Sequence, residues 1–244
     1  WIYLAPLALL LPAALFFQVR LLVPLSLGGC IALFALMGFN VPWRSWGGAD
    51  AHDLRVLSFN IERFSVPGED FSALLTHHQP DLIAVQECAG VGWWTAWWDG
   101  HRDWHTVHHG EMLVASKYPI KQVDVSYSKL PQKRSPIKNA IYCVVATPRG
   151  DIGFCNLHLD TPRRALNAVL DREKILDLDN ADYADFRIEC RRLESRDLLE
   201  WLSQFPEPKI IAGDFNMTSD SRIYRSDWNQ FRDAFVWAGW GTGY

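Results

Sequence analysis

Asn60, Glu87, His158 and the pair Asp214 and Asn216 each stand where a short apolar run ends. The runs are Leu54–Phe59, Asp81–Gln86, Ile152–Leu157 and Lys209–Gly213. They are rich in Val, Ile, Leu and Phe, and short enough to be buried strands. Ligands of open α/β sheets collect beyond the carboxyl ends of strands, so the four ends could converge at one sheet edge. An amide, a carboxylate, an imidazole and an Asp-x-Asn pair together suit a hard divalent cation and a phosphate ester.

The elements that would position these groups can be read from the intervening sequence. Asp70–His78 has helical spacing in Phe71, Leu74 and Leu75 and is stopped by Pro80, which gives a β-α-β start. Gly110–Ser116 and Val123–Ser128 read as further strands. Asn139–Thr147 and Ile152–His158 form a hairpin about the turn Pro148-Arg149-Gly150-Asp151. Thr161–Phe205 is predominantly helical, with caps expected at Thr161, followed by Pro162, and at Asp182. Its charged face carries Arg191, Arg192, Glu194, Arg196 and Asp197, and its apolar face Leu193, Leu198, Leu199, Trp201 and Leu202. That is more helix than a simple crossover needs.

The composition changes sharply near residue 50. Residues 1–39 hold one formal charge, Arg20, which lies between two apolar stretches, Trp1–Phe17 and Leu21–Phe39. Each is about long enough to cross a bilayer core of roughly 30 Å. Pro6, Pro12 and Pro24 are tolerated in membrane helices, and Trp1, Tyr3, Trp43 and Trp46 sit where rings favour headgroups. A cleaved signal peptide fits poorly, because no basic start or small-residue cleavage pattern is present. The expectation is a transmembrane helical hairpin over 1–40, a linker over 41–53 and a catalytic domain over 54–244. Arg20 opposes Arg44 and Arg55 in setting orientation, so the membrane face is not assigned.

The formal charge of −4 divides unevenly: residues 1–52 carry Arg20, Arg44 and Asp50, hence +1, leaving −5 to the rest. With a pI of about 6.1, the chain lacks the basic balance of proteins that grip long nucleic acid. Lys129, Lys133, Arg134 and Lys138 form a local basic patch that equally reads as a solvated hairpin loop. Nucleic acid is disfavoured as a partner. The cysteines show no disulfide framework; Cys88, Cys143 and Cys155 fall in or beside strands and read as buried thiols. His77, His78, His101, His105, His108 and His109 match no structural zinc spacing. Trp93, Trp94, Trp97, Trp98 and Trp104 read as a packed helix face or as a rim that meets lipid.

"LSFNIE" at 57–62, "LIAVQE" at 82–87, "NLHLD" at 156–160 and "GDFNM" at 213–217 resemble the successive motifs of the endonuclease/exonuclease/phosphatase superfamily. "MLVASKYPI" at 112–120 is similar to that family's central strand pair, and "FRDAF" at 231–235 to its segment after the Asp-x-Asn motif. The resemblance implies an α/β, DNase-I-like fold: a two-sheet sandwich flanked by helices, here preceded by the membrane hairpin. It implies Mg²⁺-dependent hydrolysis of a phosphodiester or phosphomonoester, with Mn²⁺ as a substitute ion. Members usually close with an Arg-x-Asp-[His/Tyr] strand and a Ser-Asp-His turn. This sequence has neither before Tyr244 and begins at Trp1, so it is expected to be a fragment with incomplete catalytic apparatus.

By the same resemblance, Glu87 is the metal ligand and Asn60 holds the metal or its ligand in place. Asp214 would orient or deprotonate the attacking water, Asn216 would hydrogen-bond a phosphate oxygen, and His158 would donate to one in the transition state. Asp160, Asp233 and Tyr224 are candidates for substrate contact or support. Asp233 reads mainly as packing for the site floor, and a helical turn that buries Ile223 explains Ser221 and Tyr224 as well. Attachment to a bacterial inner membrane is expected. The alternatives are a DNA or RNA endonuclease, or a membrane-anchored scaffold that keeps the fold without activity.

Overall fold

The computed structural model describes residues 12, 22–36, 39–41, 54–62, 68–88, 97–128, 137–170 and 178–241. It divides the chain into two compact units, Ala51–Met217 and Trp1–Asp50 together with Thr218–Tyr244.

The larger unit is built on two four-stranded sheets. In the first, β1 (Val56–Asn60) pairs in parallel with β2 (Leu82–Gln86). β2 then pairs antiparallel with β4 (Met112–Ser116), whose other edge takes β3 (His105–His109). The second sheet runs in the order β5 (Ile120–Ser128), β6 (Ile137–Thr147), β7 (Gly150–His158), β8 (Lys209–Asp214). Only its β7–β8 pair is parallel.

Period-two alternation explains the layers. Leu82 and Ala84 of β2 join Met112, Val114, Ile141, Cys143, Val145 and Phe154 in a core between the sheets. Ile83 and Val85 point the other way, onto Phe71 and Leu75 of the helix α1 (Gly68–His78). β2 is thus buried on both faces, which is why it reads as an unbroken apolar run. Each large side chain fully withdrawn from water here contributes about 1.5–3 kcal/mol of transfer free energy. The crossover to β8 contains α2 (Arg163–Leu170) and α3 (Leu178–Ser203). α3 buries Leu198 and Leu202, and Phe205 just beyond it stacks on Tyr142 with ring centroids 3.9 Å apart.

The sheet strands fall where they were expected, apart from β3. Its sequence, HTVHH, has Val107 as the one apolar residue and lies mostly exposed at a sheet edge. Such an edge strand is held by its ladder and carries almost no apolar signal. The cap expected at Asp182 lies inside α3, which begins at Leu178. Trp98 is buried against Phe71, and Trp97 stacks on His101 at 3.8 Å, the packed arrangement of the two weighed; Trp93 and Trp94 lie outside the described residues. Cys88, Cys143 and Cys155 are buried free thiols, and burial raises the first two to about 12.

The smaller unit contains α4 (Leu22–Cys30) continued by a π-helical stretch, Ile31–Leu36, then α5 (Arg222–Asp227) and α6 (Ala234–Ala238). Asn40 ties its ends together: it pairs with Gly241 and donates from Nδ2 to the carbonyls of Phe235 and Gly239 at 2.8 and 2.7 Å. Ser221 caps α5 by accepting from the Tyr224 N–H, so Ser221 and Tyr224 belong to a helical turn. No helix among the described residues is long and apolar enough to cross a membrane. Most of Trp1–Phe17 lies outside the described residues, as do Lys129, Lys133, Arg134 and the side chain of Lys138.

Candidate active site

The two parallel strand pairs end at the same place. In register, Asn60 lies beside Gln86 with Glu87 next, and His158 lies beside Asp214. Where the sheets pack, β1 meets β8 and β2 meets β7 and β8, which brings the carboxyl ends of the two pairs together. Asn156, fully buried in β7, sets this alignment. Its Oδ1 accepts from Gln86 Nε2 at 2.7 Å, and its Nδ2 donates to the carbonyls of Val85 and Leu113, each at 2.9 Å. An uncompensated buried amide is costly, so these bonds favour one sheet-to-sheet register.

Asn60 is the hinge of the polar cluster. Its Nδ2 donates to Glu87 Oε1 at 3.1 Å and to Asp214 Oδ2 at 2.9 Å. Its Oδ1 accepts from the Glu62 N–H at 2.9 Å, which leaves the NH₂ directed at the two carboxylates. Asn60 therefore links the Glu87 and Asp214 carboxylates. His158 Nε2 lies 3.8 Å from Glu87 Oε1. Asn60, Glu87, His158 and Asp214 are therefore gathered from four strand ends into one cluster.

Local backbone geometry aims these side chains. Glu87 and Asn216 adopt positive φ, 57° and 51°, and so turn away from their strands. Gly213, at φ 133°, passes so close to β7 that an added Cβ would stand 2.0 Å from the Leu157 carbonyl oxygen. Asp214 Oδ1 accepts from the Asn216 N–H at 2.8 Å, closing an Asx turn. Asn216 Nδ2 donates to the Leu159 carbonyl at 2.8 Å, which ties the Asp-x-Asn loop to the end of β7.

Of the candidates for substrate contact or support, Asp160 is held by the crossover helix. Its side chain forms an ion pair with the buried Arg187 of α3, and its N–H donates to Glu194 Oε2 at 2.8 Å. Arg191 donates from Nε to the Asp160 carbonyl at 2.9 Å and from Nη2 to the Asn216 carbonyl at 2.6 Å. Burial lowers the Arg191 pKa, while Asp160 and Glu194 oppose that shift. In the smaller unit, Asp233 caps α6 and accepts from the Tyr224 hydroxyl at 2.6 Å, so these two candidates are partners of each other. Burial, then the bond to Asp233, raises the Tyr224 pKa. Asn156, Arg187 and Arg191 were missed because buried polar residues in a strand or helix carry no periodic signal of their partners.

The donors of the cluster are oxygens, with one imidazole at its side. Among the described residues no group of three or more His, Cys, Asp or Glu side chains could hold a metal ion. A single half-buried Glu beside an Asn suits an ion that keeps several waters and needs one or two carboxylates, as Mg²⁺ does.

The model of the Endonuclease/Exonuclease/phosphatase family matches residues 57–244. No curated protein matches the chain in sequence. Among solved structures the fold is similar to SmcL, at 14% identity and TM-score 0.52, covering 72% of this chain and 67% of that one. It is similar also to a beta hairpin deletion mutant of beta toxin from Staphylococcus aureus, at 14% identity and TM-score 0.51, covering 71% of each chain. Humanized D. rerio TDP2 matches at 13% identity and TM-score 0.47 over 67% of this chain, which spans 62% of that protein's length.

Proposed function

Because this chain belongs to the endonuclease/exonuclease/phosphatase family, we propose that it hydrolyses a phosphodiester or phosphomonoester with Mg²⁺, Mn²⁺ serving in its place. The observation that carries this reading is the meeting of Asn60, Glu87, His158 and Asp214 at the shared end of two parallel strand pairs. Glu87 would hold the ion, with Asn60 orienting its carboxylate. When bound, the ion supplies positive charge against the phosphate oxygens.

The remaining chemistry falls to the chain's own groups. Asp214 keeps its carboxylate oriented by two N–H donors, from Asn60 and Asn216, and has lone pairs left to align a water. It would take that water's proton as the new phosphorus–oxygen bond forms and the bond to the leaving oxygen breaks, the leaving oxygen departing with the electron pair and taking its proton from solvent. His158, 3.8 Å from Glu87, would donate a hydrogen bond to a phosphate oxygen as charge develops there. Asn216 has a second N–H besides the one on Leu159, and that donor can meet another phosphate oxygen. The acidic balance beyond residue 52 favours a small phosphoester over long nucleic acid.

Hydrolysis of bis(p-nitrophenyl) phosphate and p-nitrophenyl phosphate by the full-length protein tests this reading. Turnover should vanish on dialysis against EDTA and return with Mg²⁺ or Mn²⁺. Activity that survives EDTA would overturn the metal requirement.

Attachment to a membrane through residues 1–39 belongs to the same proposal. It is supported by two uncharged apolar stretches, with Arg20 between them. The full-length protein should stay with the membrane pellet through carbonate extraction. Recovery in the supernatant would remove the anchor.

A further inference from the structure

Asp160 and Asn216 each lie two residues beyond a candidate catalytic strand end, His158 and Asp214, and those two are paired in register. The crossover helix α3 reaches both. Arg187, Arg191 and Glu194 stand at i, i+4 and i+7, hence on one face of α3. That face grips Asp160 by all its polar groups: side chain to Arg187, N–H to Glu194, carbonyl to Arg191. Only Arg191 also reaches the other loop, through the Asn216 carbonyl at 2.6 Å.

We propose that Arg191 is a positioning residue: by bridging the main-chain carbonyls of Asp160 and Asn216, it sets the spacing between His158 and the Asp214–Asn216 turn.

A guanidinium suits this task. Its planar fork presents several N–H donors in fixed directions, so two carbonyls held by one fork cannot drift apart independently. Arg191 bonds main-chain carbonyls, so its effect on the site passes through the backbone. The crossover is longer than the β7–β8 connection requires, and the grip on both loops gives that length a purpose. The clamp also explains why charged residues on α3 are buried. Arg187 is 2% exposed and Glu194 3%, and each has a partner in Asp160.

This inference rests on the phosphoesterase reading for its kinetic arm and on geometry alone for a second arm. In the full-length protein, Arg191→Met should lower kcat by about 100-fold, with KM changed by no more than about twofold, because misplacement by about 1 Å is enough for such a loss. Amide exchange should quicken by about tenfold or more at Leu159 and Asn216, whose N–H groups bond Asp214, while β4 and β6 stay protected. Arg191→Lys keeps the charge but ends one bond short of Nη2 and lacks the rigid planar fork, so it cannot reproduce the Nε and Nη2 contacts together, and about a tenfold fall in kcat is expected.

Wild-type behaviour of the lysine variant in both measurements would overturn the bridge. So would unchanged exchange at Leu159 and Asn216 in the methionine variant. Should Arg191→Met lose protection throughout, the lysine variant carries the same two readouts. A wild-type protein without metal-dependent turnover would count against the phosphoesterase reading, and the exchange comparison would still decide the clamp.

Discussion

Replacing Glu87 by Gln is expected to lower turnover by about two orders of magnitude or more, the scale of losing a key catalytic charge. The variant is conservative in shape. A glutamine Oε1 can still accept from Asn60 Nδ2, as Glu87 Oε1 does at 3.1 Å, so the cluster should keep its form. What disappears is the negative charge that would hold the cation. Asp214→Asn should cost at least as much. Asp214 accepts on both oxygens, from Asn60 and from the Asn216 N–H, and an amide can satisfy only one of those donors. The other contact becomes N–H against N–H. A 100-fold loss corresponds to about 2.7 kcal/mol of transition-state stabilisation. Measured kcat with Mg²⁺, alongside an unchanged circular dichroism spectrum, checks both variants. Near-wild-type turnover in either would remove that residue from the mechanism.

Gly213→Ala is expected to destabilise the fold by roughly 3 kcal/mol or more, among the largest effects of a single added methyl. Two costs coincide. A φ of 133° is one that residues with a Cβ rarely adopt, worth about 1–3 kcal/mol by itself. The new Cβ would also meet main-chain atoms of β7: Leu157 O at 2.0 Å, Leu157 N at 2.7 Å and Leu157 C at 2.9 Å. Backbone cannot rotate aside as a flexible side chain can, so the β7–β8 pairing must open. Since domains have only about 5–15 kcal/mol of stability, the loss should show as a large fall in urea midpoint. It should also displace Asp214, the next residue, and lower activity in whatever folded fraction remains. A variant within about 1 kcal/mol of wild type would show that β7 yields easily there.

Glu87 and Asp214 were legible because each follows an apolar run whose length and composition demand burial, so the first polar residue marks the strand end. β3 was not legible, because a polar edge strand is specified by its neighbour β4 rather than by its own pattern. Asp160 was read as a candidate for substrate contact or support, and its partners lie on α3. One of them is Arg187, 27 residues away, which nothing in the local spacing announces.

The sequence by itself determined the strand-forming runs, the β-α-β start, the helical crossover and the polar residues that close each run. Those follow from local rules, periodicity of two or 3.6 and the avoidance of polar groups in buried segments. Only the tertiary structure decided that the two parallel pairs share one end. It alone decided that Asn60 bridges carboxylates 27 and 154 residues away, and that Arg191 spans two loops. The reason is physical: a hydrogen bond between distant residues depends on sheet register and layer packing, which arise from the summed burial of the core. No short stretch of sequence contains that sum.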